Sequence, residues 1–390
     1  MSLCLNTRLL FICVTLLLCG GTAPAQGTAP EQDARPRAAS TVPPVDYALP
    51  AAEILGFQFL LNRTNRYFGT DRDDYVVTGS SIRRNLRSGW GTDRDPFHVN
   101  QLGHPYQGAM YHGFARSTGH DYWTSLGYAF AGSIVWEIAG EQTAPSVNDQ
   151  IASGIGGTFL GEALYRMSNL VLEQGGGMPR FWRELAAGAI SPASGFNRLA
   201  YPGRHGNVFS SRGAAYFSRL QVGYVRNVSR EAGPSRLEPK RDEVQIDFAI
   251  DYGLPGRPDY TYRRPFDYFN FRATASSANG LESVITHGLL VGQPFEVGDR
   301  YRAIWGLFGG YHYIAPQTFR VSSTGLSLGT VGPGGSARRC RCRRRWPRAS
   351  ATPPSARAAA RSASATTTTA SRRARCWGCA SPTRRRWRST

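Results

Sequence analysis

The sequence predicts an α+β chain: an N-terminal helical hairpin segment followed by an antiparallel transmembrane β-barrel that is truncated. Three observations carry this expectation. Between residues 51 and 204 apolar residues recur at helical spacing, and small residues fall four apart. After Arg204 the apolar period changes to two. Ahead of both, a basic residue, an apolar run and an Ala-x-Ala site form the pattern of an export signal.

Taken in order, Arg8 is the basic residue, residues 9–18 are the apolar run, and Ala23-Pro24-Ala25 is the cleavage site. The run is shorter than the roughly 20 residues that a spanning helix needs. Leu18 stands where a lipoprotein signal would place a small residue before Cys19. Residues 1–25 are therefore expected to be a signal peptide removed on export. Residues 26–50 are rich in Pro, Ala and polar side chains, the composition of a disordered linker.

Residues 51–204 are expected to be mainly helical. EILGFQFLLNRTNRYF suits a short helix, although FQFLL also suits a strand. Residues 122–136 carry no charge, with Gly127, Ala131 and Gly132 spaced for close packing. A second helix starts at Ser146, whose spacing to Asp149 matches a capping box. Along it, Ser153, Gly157 and Gly161 leave one face nearly bare. Each Gly costs about 1 kcal/mol relative to Ala in a helix, and close helix approach is the usual compensation. These two helices are expected to pair as a tight hairpin, with a third amphipathic helix near residues 179–190.

Residues 205–330 alternate. Val244, Ile246, Phe248, Ile250 and Tyr252 share one face, as do Phe269, Phe271, Ala273 and Ala275. Tyr301, Ala303, Trp305, Leu307, Tyr311 and Tyr313 form a third such row. Strands of about ten residues with aromatic ends are the signature of an outer-membrane barrel. A soluble antiparallel sandwich is the alternative. About six strands precede residue 330, whereas bacterial barrels close with eight or more.

The total charge of +19 misleads, because 16 of the 46 basic residues lie in residues 331–390, which hold no acid. From Ser336 onward only Ser, Ala, Arg, Cys, Trp, Pro, Thr and Gly occur. All eight have G or C at the second codon position, as expected when a GC-rich gene is read out of frame. Residues 331–390 are expected to be a disordered basic tail and a frameshift product, beginning near residues 325–335. A nucleic-acid partner is not expected. Cys340, Cys342, Cys376 and Cys379 lack an apolar core on which to build a zinc site.

NQLGHPYQGAMYHGFARSTGHDYW, SIVWEIAGEQTAPSVNDQIASGIGGTFLGEALYRMS and SPASGFNRL together resemble the bacterial domain of unknown function 3943 family. The resemblance is specific over residues 95–199 and weaker to about residue 330. It implies an outer-membrane protein with a helical segment ahead of barrel strands, and it implies no reaction.

His104, His112, Glu137, Glu141, Asn148, Asp149, Glu162 and Arg166 are the polar residues on an otherwise apolar hairpin. Ionisable groups in such a setting cost free energy unless paired or used. Asp149 has a capping role, Glu162 and Arg166 suit an i,i+4 ion pair, Glu141 suits a solvated helix end, and His112 and Arg116 suit a polar face. His104 and Glu137 lack such a reason, and with Asp149 they are the weak catalytic candidates, as an acid/base pair. No metal or other cofactor is expected: His104 and His112 lack a metal spacing, and the body has no Gly-x-Ser-x-Gly motif or Cys.

Three functions fit. The first is an outer-membrane barrel with a helical plug or periplasmic cap, whose hairpin would pair with lumen-facing Asp247, Asp251 and Arg272. The second is an outer-membrane enzyme acting on lipid or cell-wall material through His104, Glu137 and Asp149. The third is a periplasmic ligand-binding module. The expected partners are outer-membrane lipid in a Gram-negative cell and the machinery that inserts barrels.

Overall fold

In the computed structural model, residues 45–226, 242–256, 259–298 and 301–332 are described. The expected signal peptide, most of the linker and the tail from residue 333, with its four Cys, lie outside the described residues.

Helix α1 (Ala48–Phe68) begins where Asp46 Oδ1 accepts the Ala48 and Leu49 amides, both at 3.0 Å. Residues 48–50 are therefore helix rather than linker, and FQFLL is helix rather than strand. Helix α2 (Gly79–Asn85) carries a full capping box between Thr78 and Ser81. A π-helical turn (Val99–Gly103) leads into α3 (His104–Ser117), with Pro105 in its first turn, where the missing amide costs nothing. Asp121 caps α4 (Tyr122–Ala139) by accepting the Thr124 amide at 2.7 Å. Ser146 Oγ caps α5 (Val147–Ile151) by accepting the Asp149 amide at 3.2 Å. A second π-helical turn (Ala152–Gly156) carries the chain into α6 (Gly157–Gln174). Then come α7 (Arg180–Ile190), α8 (Pro192–Ala200) and the single turn α9 (Pro202–His205).

The close approach along α6 is real, but its partner differs from the expected one. A Cβ on Gly108 would lie 1.9 Å from the Ser153 carbonyl oxygen, and one on Gly157 would lie 2.7 Å from Gly108 Cα. One on Gly161 would meet Ala109 Cα at 3.0 Å. The bare face therefore packs on α3, and α4 is met by Gly154, against the Phe130 ring.

The strands are β1 (Tyr216–Arg226), β2 (Asp242–Tyr252), β3 (Phe269–Ser276), β4 (Gly280–Val297), β5 (Tyr301–Ile314) and β6 (Val321–Val331). They form one antiparallel sheet in sequential order, each strand paired with the next. Among the described residues the sheet is open, with β1 and β6 at its edges. β4 and β5, at 18 and 14 residues, exceed the expected ten. β6 stays in register with β5 through Val331, opposite Ile304.

Register assigns the faces. Ile250, Phe271, Thr286, Tyr311 and Thr324 lie side by side on one face, together with Tyr252, Phe269 and Tyr313. This face packs against α6 and its π turn. Phe159, Leu160, Ala163 and Met167 share a core with Ile250, Phe269, Phe271 and Tyr311. A Cβ on Gly309 would strike the Phe159 ring at 2.4 Å.

The opposite face is polar and pairs within itself. Asp247 accepts from Arg219 and Thr274, both at 3.1 Å, and Asp251 accepts from Asn270 at 2.6 Å. Arg272 is exposed on that face. The expected pairing of hairpin polar groups with Asp247, Asp251 and Arg272 does not occur, because the helices cover the apolar side of the sheet.

Candidate functional site

The expected polar residues separate into two buried clusters. The first is centred on Glu162, in the middle of α6, where the adjacent Gly161 lets α3 approach closely. Its Oε2 accepts from His112 Nε2 at 3.1 Å and Arg116 Nε at 2.7 Å; its Oε1 accepts from Arg116 Nη2 at 3.2 Å and Arg166 Nε at 2.8 Å. Burial pushes the Glu162 carboxyl up, but Arg116, Arg166 and His112 outweigh it and hold the group well below the usual carboxylate range. His112 is pushed down by its own burial. Neither His112 nor Arg116 lies on a polar surface: they are 0% and 6% exposed.

Arg166 carries this cluster across to the sheet. Its Nη1 donates to Asp267 Oδ1 at 3.0 Å and its Nη2 to the Pro265 carbonyl at 2.6 Å. Asp267, in the loop between β2 and β3, also accepts from Arg212 at 2.5 Å, from Arg264 at 3.1 Å and from the Arg263 and Arg264 amides. Against the effect of burial, Arg166, Arg264 and Arg212 hold this carboxyl below its ordinary value. The loop is shaped for the role. Gly253 sits at φ +73°, and a Cβ there would lie 1.8 Å from the Asp267 carbonyl oxygen. Phe266 adopts φ +62°, rare for an aromatic residue, held by its amide bond to the Leu289 carbonyl at 2.6 Å. Phe209 completes the cluster as a ring with Arg264, Arg166 and Arg116 at 4.2, 5.0 and 4.9 Å.

The second cluster surrounds the start of α5. It brings together the three catalytic candidates. His104 Nε2 lies 3.8 Å from Asp149 Oδ1, and His104 Nδ1 lies 3.4 Å from Ser153 Oγ. Glu137 Oε2 accepts the Ser146 amide at 2.9 Å, so Glu137 supplies the half of the cap that Asp149 was expected to give. Asn148 accepts the Asp93 amide at 2.8 Å and donates to Asp149 at 3.1 Å.

Here burial is not offset by cations. Burial, reinforced by Glu141, pushes the Glu137 carboxyl up to about 9. Burial pushes Glu141 to about 7 and Asp95 to about 6. Burial raises Asp149 as well, and lowers His104 against the pull of Asp149. Glu141 is 9% exposed, so it is not the solvated helix end expected of it.

The chemistry open to each cluster follows. Every oxygen of Glu162 is engaged, so it has no lone pair aimed at a further ligand. Glu137 keeps its proton at neutral pH, and its Oε1 is buried without a partner, as is Oε1 of Glu53 in α1. Among the described residues no group of three or more His, Cys, Asp and Glu is placed to hold a metal ion. A cavity of about 10 Å3, lined by Tyr165, Asn169, Arg198 and His205 among others, has room for one water, and neither cluster's charges line it.

Asp267, Arg212, Arg264 and Phe209 were missed from the sequence. The only local trace of them is the Arg264-x-x-Asp267 spacing of a turn.

No curated protein and no solved structure matches the chain. Residues 89–193 match the family model described as Domain of unknown function (DUF3943). That span contains all of the Glu137 cluster and the Glu162 half of the other, but not Asp267. Over residues 89–193 the chain is similar to this family of unknown function.

Proposed function

We propose that the chain is an outer-membrane protein whose six strands form part of the wall of an up-and-down β-barrel, with the helical layer packed as a cap on the apolar side of that wall. One observation carries the reading. Beyond the helical layer the apolar face of the sheet continues: Val291 and Leu328 lie bare on either side of half-buried Leu307, next to Leu326 and Trp305. Val291 is 64% exposed, Trp305 53% and Leu328 80%. A contiguous apolar surface of this kind marks a membrane or partner interface.

The remaining features agree with it. Sequential antiparallel pairing is barrel connectivity, and strands of 11 or more residues are long enough to cross a bilayer at a tilt. The polar face, with its Arg219–Asp247 pair and His287–His312 contact, suits a watery lumen. Since the helices lie on the other face, they act as a cap and not as a plug. The export signal expected at residues 1–25 supports the same reading.

The test is fractionation of Gram-negative cells expressing the full chain, followed by alkaline carbonate extraction. Recovery in the outer membrane, resistant to carbonate, is expected. Recovery in the soluble periplasmic fraction overturns the reading and favours a binding module.

A second reading, an enzyme using Glu137 as proton donor, has the unpartnered Glu137 Oε1 behind it. It requires that Glu137→Gln abolish an activity while leaving the fold intact.

A further inference from the structure

Helices α1 and α4 bury polar side chains and leave an apolar outer face. α1 buries Gln58 and Asn62, which donate to main-chain carbonyls of the α4 region: Gln58 to Gly132 at 2.6 Å and Asn62 to Gly140 at 2.7 Å. Its outer face is apolar, with Leu55 54%, Phe59 63%, Leu60 64% and Phe68 71% exposed. No charged residue between 51 and 68 is fully exposed; Glu53, Arg63 and Arg66 are half-buried. α4 repeats the plan. It buries Ser125, Ser133 and Glu137 beside Tyr122, Ala129 and Trp136, and its exposed stripe is Trp123, Gly127, Ala131, Ile134 and Val135. A surface helix facing water has the opposite arrangement.

The two stripes adjoin. Tyr128 donates to the Tyr47 carbonyl at 2.6 Å, a Cβ on Gly132 would meet Ile54, and Asn62 reaches Gly140, so the helices run side by side in the same direction. Both rest on α3, through Tyr111: Phe57 stacks edge-on to it at 6.1 Å, and Gly132 abuts its ring. Their outer faces therefore look away from α3.

The chemistry of this surface identifies its occupant. A protein partner is met by an apolar centre with a polar, hydrogen-bonding rim. Here the apolar stripe runs the length of both helices, and Tyr47, Tyr67 and Trp123 stand at its ends, where aromatic residues mark a membrane–water boundary. No described helix is long and apolar enough to cross a membrane. In α1 the amides that lower its hydropathy lie on the protein-facing side.

We propose that α1 and α4 form a lipid-facing surface that lies sideways in the hydrocarbon boundary of the bilayer. This rests on the membrane reading of the chain and extends it from the sheet to the helical layer.

The test uses the full chain with its seven Cys replaced by Ser. Single cysteines, introduced as Phe59→Cys, Val291→Cys or Ser323→Cys, carry a bimane label. The protein is reconstituted in phosphatidylethanolamine–phosphatidylglycerol vesicles with and without nitroxide lipid. Quenching at position 59 as strong as at 291, with little at 323 on the polar face, is the expected result. Quenching at 291 without quenching at 59 overturns the proposal and leaves the wall reading standing. Quenching at 59 alone upholds the proposal and overturns the wall. Quenching at neither overturns both. Ile134→Cys repeats the measurement on α4, where the same answer as at 59 is required.

Discussion

Around Glu162 the chain keeps its charges buried and matches them, whereas around Glu137 it buries carboxyls that burial pushes upward, Glu137 itself to about 9. Both clusters have their central carboxyl, Glu162 or Glu137, in the family-matched segment, and both carboxyls are 0% exposed. The difference is the supply of cations. Four guanidinium groups, Arg116, Arg166, Arg212 and Arg264, converge on two carboxylates at Glu162 and Asp267. At Glu137, Glu141, Asp95 and Asp149 the cationic candidate is His104, whose pKa burial lowers against the pull of Asp149. The first cluster ties α3 and α6 to the β2–β3 loop. The second ties α4 to the start of α5. The lesson is that a buried ionisable residue in this layer marks a joint, and its neighbours decide whether the joint is ionic or neutral.

The largest effect separating the two is expected from Arg166→Met, which removes the group shared by Glu162 and Asp267. Breaking a buried pair from one side costs about 3–5 kcal/mol, measurable by equilibrium denaturation. A loss below about 1 kcal/mol would mean that the network is not a joint.

Next comes the glycine seam. Gly108→Ala puts a methyl group into the Ser153 backbone and should cost about 1–3 kcal/mol or more. Gly127→Ala faces open space on α4 and should stabilise the protein by up to about 1 kcal/mol. Equal effects at the two positions would break the assignment of the seam to α3 and α6.

The two clusters also differ in their response to pH. Glu137 has a raised folded pKa, so its contribution is present below the ordinary carboxyl pKa of 4.5 and is lost as pH rises toward about 9. Glu162 and Asp267 are lowered, so their contribution is present above the ordinary range and is lost as pH falls below it. Unfolding free energy measured against pH should therefore fall on both sides. The alkaline fall should flatten in Glu137→Gln, and the acid fall should persist there.

Much of the fold was legible because alternation and spacing are local. The three alternating rows became one sheet face by register, Ser146 became a cap, and Glu162 and Arg166 became an ion pair. What spacing leaves open is the partner. It marks the bare face of α6 but not that α3 fills it. It marks Arg166 but not Asp267, which lies 101 residues further along the chain. It shows that α1 is two-faced but not that Gln58 and Asn62 point inward, since that sign is set by tertiary packing. Helix α8 was missed because Pro192 and Gly195 look like loop residues, although Pro is well suited to a first helical turn.

The most direct test of the central claim is a matched pair, Glu162→Gln and Glu137→Gln, with unfolding free energy measured at pH 7 and pH 9. Glu162→Gln leaves Arg116 and Arg166 buried without their shared counter-charge, and should lose about 3 kcal/mol or more at both pH values. Glu137→Gln replaces a neutral acid by its isostere. Because the unfolded Glu137 carboxyl is already ionised at pH 7, the variant should be more stable than the parent at pH 7 and gain further on it at pH 9. If Glu137→Gln instead loses as much as Glu162→Gln at pH 7, Glu137 is ionised in the folded protein, and the contrast between the two joints is wrong.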